Sequence, residues 1–415
     1  MTEQSHTQLS ALVYGTCIVI VVLVAAFALN IGGILDMRPP EFSKRNMLAA
    51  LWYQYKLNYL EPSSLRSLDK QRDNITTSEG QSYTLLRAAW MDDKDTFDSS
   101  WQWTKDNLQR KEDHLVSWLF GKRADGSYGV LRDQGGYNTA SDADSDIALA
   151  LIFASRRWND QKYFGDGILI VRDIWNKEVV TIGGRPYLAA NNVEKTTSKG
   201  TIVVNPSYLS PYAYKIFAEV DPVHDWRALA STSYEVIDQS MRLTLDSGAS
   251  ATIPPDWVVV DKATGAVSAA PASTGLSTNF SFDAMRLPWR LALDYAWTSD
   301  PRAKEALDKM GFLRSEWRAK GSLATSYRHD GARLTEDQAL SMYGGAMGYF
   351  AVSDVADADA VYRRKLEAVY DTNESKWAKP QSYYDENWAW FGIALYAGEL
   401  TNLYGDINYA AHSAK

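Results

Sequence analysis

Three segments of this 415-residue chain set carboxylates at the start of an apolar-periodic helix, beside small residues. Residues 76–83 carry Glu79, residues 140–147 carry Asp142, Asp144 and Asp146, and residues 281–290 carry Asp283 with Arg286 and Arg290. Each has an ordinary structural explanation. Ser78 and Gln81 have the spacing of a capping box, acids in a first turn complement the helix dipole, and Asp283 with Arg286 is an i,i+3 ion pair. Occurring together they say more, because helices that start at one rim bring their first turns into one groove. A protonated carboxyl there can donate to a leaving oxygen while an ionised one activates water, which is the equipment for breaking a glycosidic bond. The composition suits a sugar. There are 15 Trp, 24 Tyr and 12 Phe, 12% of the chain, and a pyranose offers a C–H face that stacks on such rings. A core built of large residues accounts for the rings equally well.

Other chemistries fit poorly. Lys and Arg number 43 against 51 Asp and Glu, a net charge of -8, so the basic surface that a nucleic-acid partner requires is missing. The one cysteine, Cys17, rules out an internal disulfide or a thiolate zinc site. His6, His114, His224, His329 and His412 include no pair spaced to share a helix face. No metal and no cofactor are expected.

The elements that must position the acids read as helical. Apolar spacing of three and four recurs through the chain, and about twelve helices are predicted, starting near residues 47, 79, 97, 144, 163, 211, 226, 284, 302, 336, 357 and 387. Strand signals are few. The main one is the run-turn-run at residues 257–267, which predicts one minor β-hairpin. Twelve helices with uneven loops predict an all-α fold, an (α/α)6 toroid of six helical hairpins. An α-solenoid is the competitor, although no fixed repeat is visible. The expected organisation is a short tail at 1–11, a membrane segment within 12–35, a linker at 36–44, one catalytic domain at 45–405 and a tail at 406–415. Residues 12–29 are 18 without a charge, about enough to span a bilayer as a helix. Ala26-Phe27-Ala28 resembles a signal cleavage site, but the first ten residues hold no Lys or Arg, which favours an uncleaved transmembrane anchor. Arg38, Lys44 and Arg45 follow the span and point the domain toward the cytoplasm, by a rule that is weak for large translocated domains. The expected location is the cytoplasmic membrane, with the domain on its outer, periplasmic side.

At these acids the chain resembles glycoside hydrolase family 8, inverting endoglucanases with an (α/α)6 barrel. The helix signature A-[ST]-D-[AG]-D is met by Ala140-Ser141-Asp142-Ala143-Asp144 and continues through Ile147 and Ala148 to Trp158. The acid segment stands as Thr77-Ser78-Glu79-Gly80-Gln81-Ser82-Tyr83, followed by Ala88-Ala89-Trp90-Met91. The base segment stands as Phe282-Asp283-Ala284-Met285-Arg286-Leu287-Pro288-Trp289-Arg290, with Phe282 where the family has Tyr. Asn205-Pro206-Ser207-Tyr208, Pro255-Asp256-Trp257 and Tyr383-Tyr384-Asp385 also have counterparts, so the resemblance runs from about 45 to 400.

The resemblance implies Glu79 as general acid and Asp283 as general base, with Asp142 binding and distorting the sugar at the cleavage point. It implies that Tyr208 helps hold the attacking water and that Trp118 and Tyr384 are subsite rings. Glu79 should be desolvated or lie near another carboxylate such as Asp142, either of which raises its pKa. Arg286 and Arg290 could keep Asp283 ionised, a surface role for Arg290 being equally open. The implied substrate is a β-1,4-linked polysaccharide, cellulose-like. Xylan, chitosan, lichenan and an amino-sugar exopolysaccharide are alternatives. The implied partners are the membrane and a polysaccharide synthase or export complex, in which a catalytically silent binding subunit is the reading from another class.

Overall fold

The computed structural model describes residues 43–245 and 248–405. The expected tail at 1–11, the expected membrane segment at 12–35, most of the expected linker and the expected tail at 406–415 lie outside the described residues. Among the described residues, no helix is long and apolar enough to cross a membrane.

Fourteen α-helices are found among the described residues: α1 (Lys44–Tyr59), α2 (Ser78–Trp90), α3 (Lys94–Asn107), α4 (Ser141–Arg157), α5 (Gln161–Lys177), α6 (Asn192–Thr196), α7 (Pro211–Val220), α8 (Trp226–Arg242), α9 (Leu287–Thr298), α10 (Pro301–Lys309), α11 (Phe312–Lys320), α12 (Leu340–Ser353), α13 (Val355–Val361) and α14 (Tyr383–Tyr396). The twelve predicted starts fall on α1 to α5, α7 to α10 and α12 to α14, each within about four residues. The short α6 and the amphipathic α11 went unpredicted. Local signals account for the agreement. Asp93, Asp160, Asp225, Asp300 and Ser382 each accept a backbone N–H of the turn that follows, which fixes where α3, α5, α8, α10 and α14 begin.

Within the unit Leu48–Lys415, six helices form an inner ring. α2 packs on α4, α4 on α7, α7 on α9, α9 on α12 and α12 on α14. The ring closes where Arg87 of α2 donates to Asn387 of α14 at 2.9 Å and Trp388 Nε1 donates to Tyr83 Oη at 3.2 Å. The partners α3, α5, α8, α10 and α13 pack outside the helix each follows. This mostly helical pairing is consistent with an (α/α)6 fold. Burial separates the two layers. In α4 every residue from 141 to 155 is buried, as expected of a helix enclosed on all sides, whereas α10 buries only Ala303, Ala306 and Leu307, one stripe of a surface helix. The ring is tight at α12, where a Cβ on Gly344 would stand 1.9 Å from the Trp388 carbonyl oxygen of α14. Only glycine admits that approach.

The single predicted hairpin is corrected to four small antiparallel sheets among the described residues. β7 (Val258–Asp261) and β8 (Val267–Ala269) make the expected hairpin, and β6 (Thr201–Val204) adds to the other edge of β7 in the register Val204 to Val258. β4 (Val179–Ile182) pairs with β5 (Arg185–Leu188) across Gly183 and Gly184, both at positive φ, a two-residue turn that glycine makes easily. β1 (Thr76–Thr77), β2 (Leu119–Lys122) and β3 (Tyr128–Val130) form a third sheet, β9 (Tyr370–Asp371) and β10 (Lys376–Trp377) a fourth. Runs of two to four residues are too short to show an alternating pattern, so their absence from the sequence reading has a plain cause.

Candidate active site

Helices α2, α4, α9 and α14 start at one end of the ring, and that end carries the predicted acids. Glu79 lies in the first turn of α2, whose cap is Thr77, its Oγ1 accepting the Gly80 N–H at 3.0 Å. The expected capping box is therefore corrected. Gln81 does not reach back to Ser78; its amide accepts the Ser67 N–H at 2.6 Å and donates to Thr104 Oγ1 at 2.7 Å. A fully buried amide is satisfied by the partners that packing brings to it. Asp142 lies in the first turn of α4 and Asp283 immediately precedes the short 3-10 turn that leads into α9.

Arg286 draws the three acids together. Its side chain is 1% exposed. Nη1 donates to Glu79 Oε2 at 2.8 Å and to Asp142 Oδ2 at 3.0 Å, Nη2 donates to Asp283 Oδ1 at 2.6 Å, and Nε donates to the Asp283 carbonyl at 3.1 Å. One guanidinium thus serves three carboxylates from three helices, a use of its fixed fork that lysine could not copy. The i,i+3 pair of Asp283 and Arg286 is real, and it is also the hinge of a larger cluster.

With three acids on one cation, charge is in excess by two if all are ionised. Burial pushes the Glu79 carboxyl up to about 7; Arg286 opposes this, while Asp142 and Asp283 add to it. The expected causes, desolvation and the neighbour Asp142, both operate, with burial the larger. Burial also raises Asp142, against Arg286 and Arg290. The exposures differ usefully: the Asp142 side chain is 3% exposed, Glu79 22% and Asp283 34%. Glu79 and Asp283 border one cavity of about 530 Å³, lined further by Asp69, Arg72, Phe282 and Tyr384. A neighbouring cavity of about 430 Å³ shares Gln71 and Arg72 with it, so the groove extends past the acids toward β2.

The predicted aromatic residues take different places. The Tyr208 ring lies under the Arg286 guanidinium, 5.1 Å from centroid to Cζ. Its hydroxyl is pushed well up by burial and by the acids Asp142 and Asp283, so it remains an O–H donor. Tyr384 lines the groove and donates to the Phe282 carbonyl. Trp118 lies beside the neighbouring cavity: its Nε1 donates to the Gly135 carbonyl at 3.0 Å and it packs on Ile75, Leu119 and Leu131, which line that cavity. It is tied to the site through the backbone, where Ser78 N donates to the Trp118 carbonyl at 3.0 Å.

Arg290 is corrected on both readings. It neither lies on the surface nor touches Asp283; it is buried and bidentate with Asp146, at 2.9 and 2.8 Å, and it donates to Ser210 Oγ and Tyr212 Oη. This pair ties α9 to α4 beneath the cluster. Asp144 turns away from the groove, accepting the Val116 N–H at 3.0 Å beside the buried Glu178. One site residue went unpredicted: Tyr383 Oη donates to Glu79 Oε1 at 3.2 Å. The Tyr383-Tyr384 pair was visible in the sequence, but which ring faces the acid depends on how α14 is rotated.

A family model described as Glycosyl hydrolases family 8 matches residues 38–394, a stretch that includes the whole acid cluster. The chain belongs to glycosyl hydrolase family 8. This family 8 protein is a glycoside hydrolase. It is 32% identical over 318 residues to the "Probable endoglucanase" of Novacetimonas hansenii, covering 75% of this chain and 83% of that one. It is 28% identical over 337 residues to "Endoglucanase A" of Acetivibrio thermocellus, covering 79% of this chain; the chain spans 65% of the length of that relative. The solved endo-1,4-D-glucanase from Vibrio fischeri ES114 superposes with a TM-score of 0.71 at 26% identity, covering 83% of this chain and 94% of that one.

Proposed function

We propose that this family 8 protein is an inverting endo-β-1,4-glucanase in which Glu79 is the general acid and Asp283 the general base. The observation that carries the proposal is the single Arg286 guanidinium that holds Glu79, Asp142 and Asp283 at one groove. Burial keeps the Glu79 proton to about pH 7, so the carboxyl can donate to the leaving oxygen. Asp283, the most exposed of the three, takes a proton from a water that Tyr208 helps to hold. Asp142 binds and distorts the sugar between them. Glu79 and Asp283 sit on different nitrogens of the guanidinium, which keeps them from meeting; inversion requires carboxyls about 6.5–9.5 Å apart, with the water between base and sugar. A groove that continues past the acids suits a chain cut internally, and the relatives named above are endoglucanases.

The same reading places the enzyme, an (α/α)6 barrel, outside the cytoplasmic membrane, tethered through residues 12–29 and trimming a polysaccharide as it leaves the cell. A tether favours a polymer made by the same cell over one scavenged at a distance. The test of the chemistry is a panel of β-1,4-linked polymers with the products followed by NMR. Internal cleavage of a β-1,4-glucan with the α-anomer formed first is expected. Release of the β-anomer would overturn inversion, and cleavage of xylan or chitosan with β-glucan left intact would overturn the substrate.

A further inference from the structure

Asp256 is a buried acid that the mechanism above does not use. It is 2% exposed, and no ion pair involves it among the described residues. Both of its oxygens point into the turn that carries Asp283. Oδ1 accepts the Ser281 N–H at 3.1 Å and the Ala284 N–H at 2.9 Å, and Oδ2 accepts the Ser281 hydroxyl. These donors bracket Asp283, two residues before it and one after. The backbone of Asp256 is itself fixed, since its N–H donates to the Asn279 carbonyl at 2.7 Å and the Trp257 N–H donates to the Ser277 carbonyl at 3.1 Å. β7, the central strand of its sheet, begins two residues after Asp256, at Val258. Trp257 in turn sets its ring edge-on to Tyr208, 5.6 Å between centroids.

We infer that Asp256 is a positioning residue for the base, clamping the turn 281–284 to the β6-β7-β8 sheet so that Asp283 and Tyr208 face the same point in the groove. The inference rests on the reading of Asp283 as base. The other holds on this turn are Arg286 on Asp283 and Tyr384 on the Phe282 carbonyl, and neither supplies an acceptor for the Ser281 and Ala284 N–H groups that Asp256 holds. The arrangement is expensive. A carboxylate buried beside a second acid is pushed up to about 6, chiefly by burial and then by Asp283, a cost that a turn needed only for folding could avoid with a neutral side chain. Asp256 cannot itself be the base, because its oxygens face the turn and its side chain is closed off from the groove.

The test compares Asp256→Ala, Asp256→Asn and Asp283→Asn in the full chain, with kcat, KM and melting temperature measured for each. Asp256→Ala leaves two backbone N–H groups without an acceptor and frees the turn; a misplacement of the order of 1 Å costs about 10- to 100-fold in turnover. That loss should fall on kcat, with KM within about twofold, because the groove walls that bind sugar are untouched. Asp256→Asn keeps Oδ1 for both N–H groups and can donate to the Ser281 hydroxyl, so it should restore kcat to within about threefold of wild type. A purely structural role would lower the melting temperature and leave kcat alone. Should Asp256→Ala not fold, Ser281→Ala removes the hydroxyl arm alone and should lower kcat severalfold at unchanged KM. Full activity in Asp283→Asn would remove the base assignment and the positioning role with it. An inactive Asp283→Asn beside an Asp256→Ala, or failing that a Ser281→Ala, with wild-type kcat would overturn the positioning role alone.

Discussion

Asp142→Asn removes one negative charge from beside Glu79 and keeps the side chain's shape. The two carboxylates accept from the same Nη1 of Arg286, at 2.8 and 3.0 Å, so those oxygens are at most about 6 Å apart. Two unit charges at about 6 Å in an effective dielectric of about 20 repel by about 3 kcal/mol, or about two pKa units. The groove is open to water and the Glu79 side chain keeps 22% of its exposure, so about one unit of that is expected to survive screening. Release of the guanidinium from Asp142 acts in the same direction, since its charge then serves Glu79 and Asp283 alone. Glu79 must be protonated to donate, so activity is lost as pH rises through its pKa of about 7. Lowering that pKa moves the alkaline limb of kcat/KM down, to about pH 6. The assay is kcat/KM against pH on a soluble β-1,4-glucan for wild type and variant. Asp142→Asn will also be slower because it touches sugar, but the position of the limb is independent of its height. An alkaline limb that stays in place or moves up would refute the electrostatic argument, and with it the part assigned to Asp142, beside burial, in keeping Glu79 protonated.

Glu79→Gln and Asp283→Asn, near-isosteric changes that remove proton transfer, should each lower turnover by about 100-fold or more while the melting temperature stays within a few degrees. Near-full activity in either would reassign that role. For the tether, protease added to intact spheroplasts should digest residues beyond 40 while the membrane fraction of untreated cells retains the full-length chain. Protection would place the domain inside, and a soluble product starting at Leu29 would make residues 1–28 a signal peptide.

What the sequence revealed is local, and what it concealed is set by packing. The helix starts at 94, 161, 226 and 301 follow from Asp93, Asp160, Asp225 and Asp300, whose side chains act within their own turns. The convergence of Glu79, Asp142 and Asp283 followed from their shared place at helix starts, once a ring of inner helices was assumed. The capping box failed because Gln81 is fully buried and finds its partners on α3 and at Ser67, far along the chain. Arg290 failed for a related reason. Arg286 and Arg290 sit four residues apart at the start of α9 and look alike, yet one meets the groove and the other meets Asp146 on α4. Tyr383 and Tyr384, adjacent on α14, divide between Glu79 and the base turn in a way that only the rotation of the helix decides.

The shared guanidinium also bears on how the site survives its own turnover. In the proposed inverting cycle Glu79 gives its proton to the leaving oxygen as Asp283 takes one from water. Glu79 becomes negative and Asp283 neutral. Both are partners of Arg286, one on Nη1 and the other on Nη2, so the charge beside the guanidinium passes from one end of the fork to the other while its sum stays constant. A buried cation that meets the same total charge before and after the step has no new ion to solvate, which is the condition under which a preorganised site lowers a barrier instead of following the reaction. The proton must then return from Asp283 to Glu79, and the two most exposed of the three acids are the two that exchange it. Asp142, 3% exposed, takes no part in that exchange. In that cycle Asp142 adds to the burial that raises Glu79, and Arg286 is left to stabilise whichever of the other two is ionised.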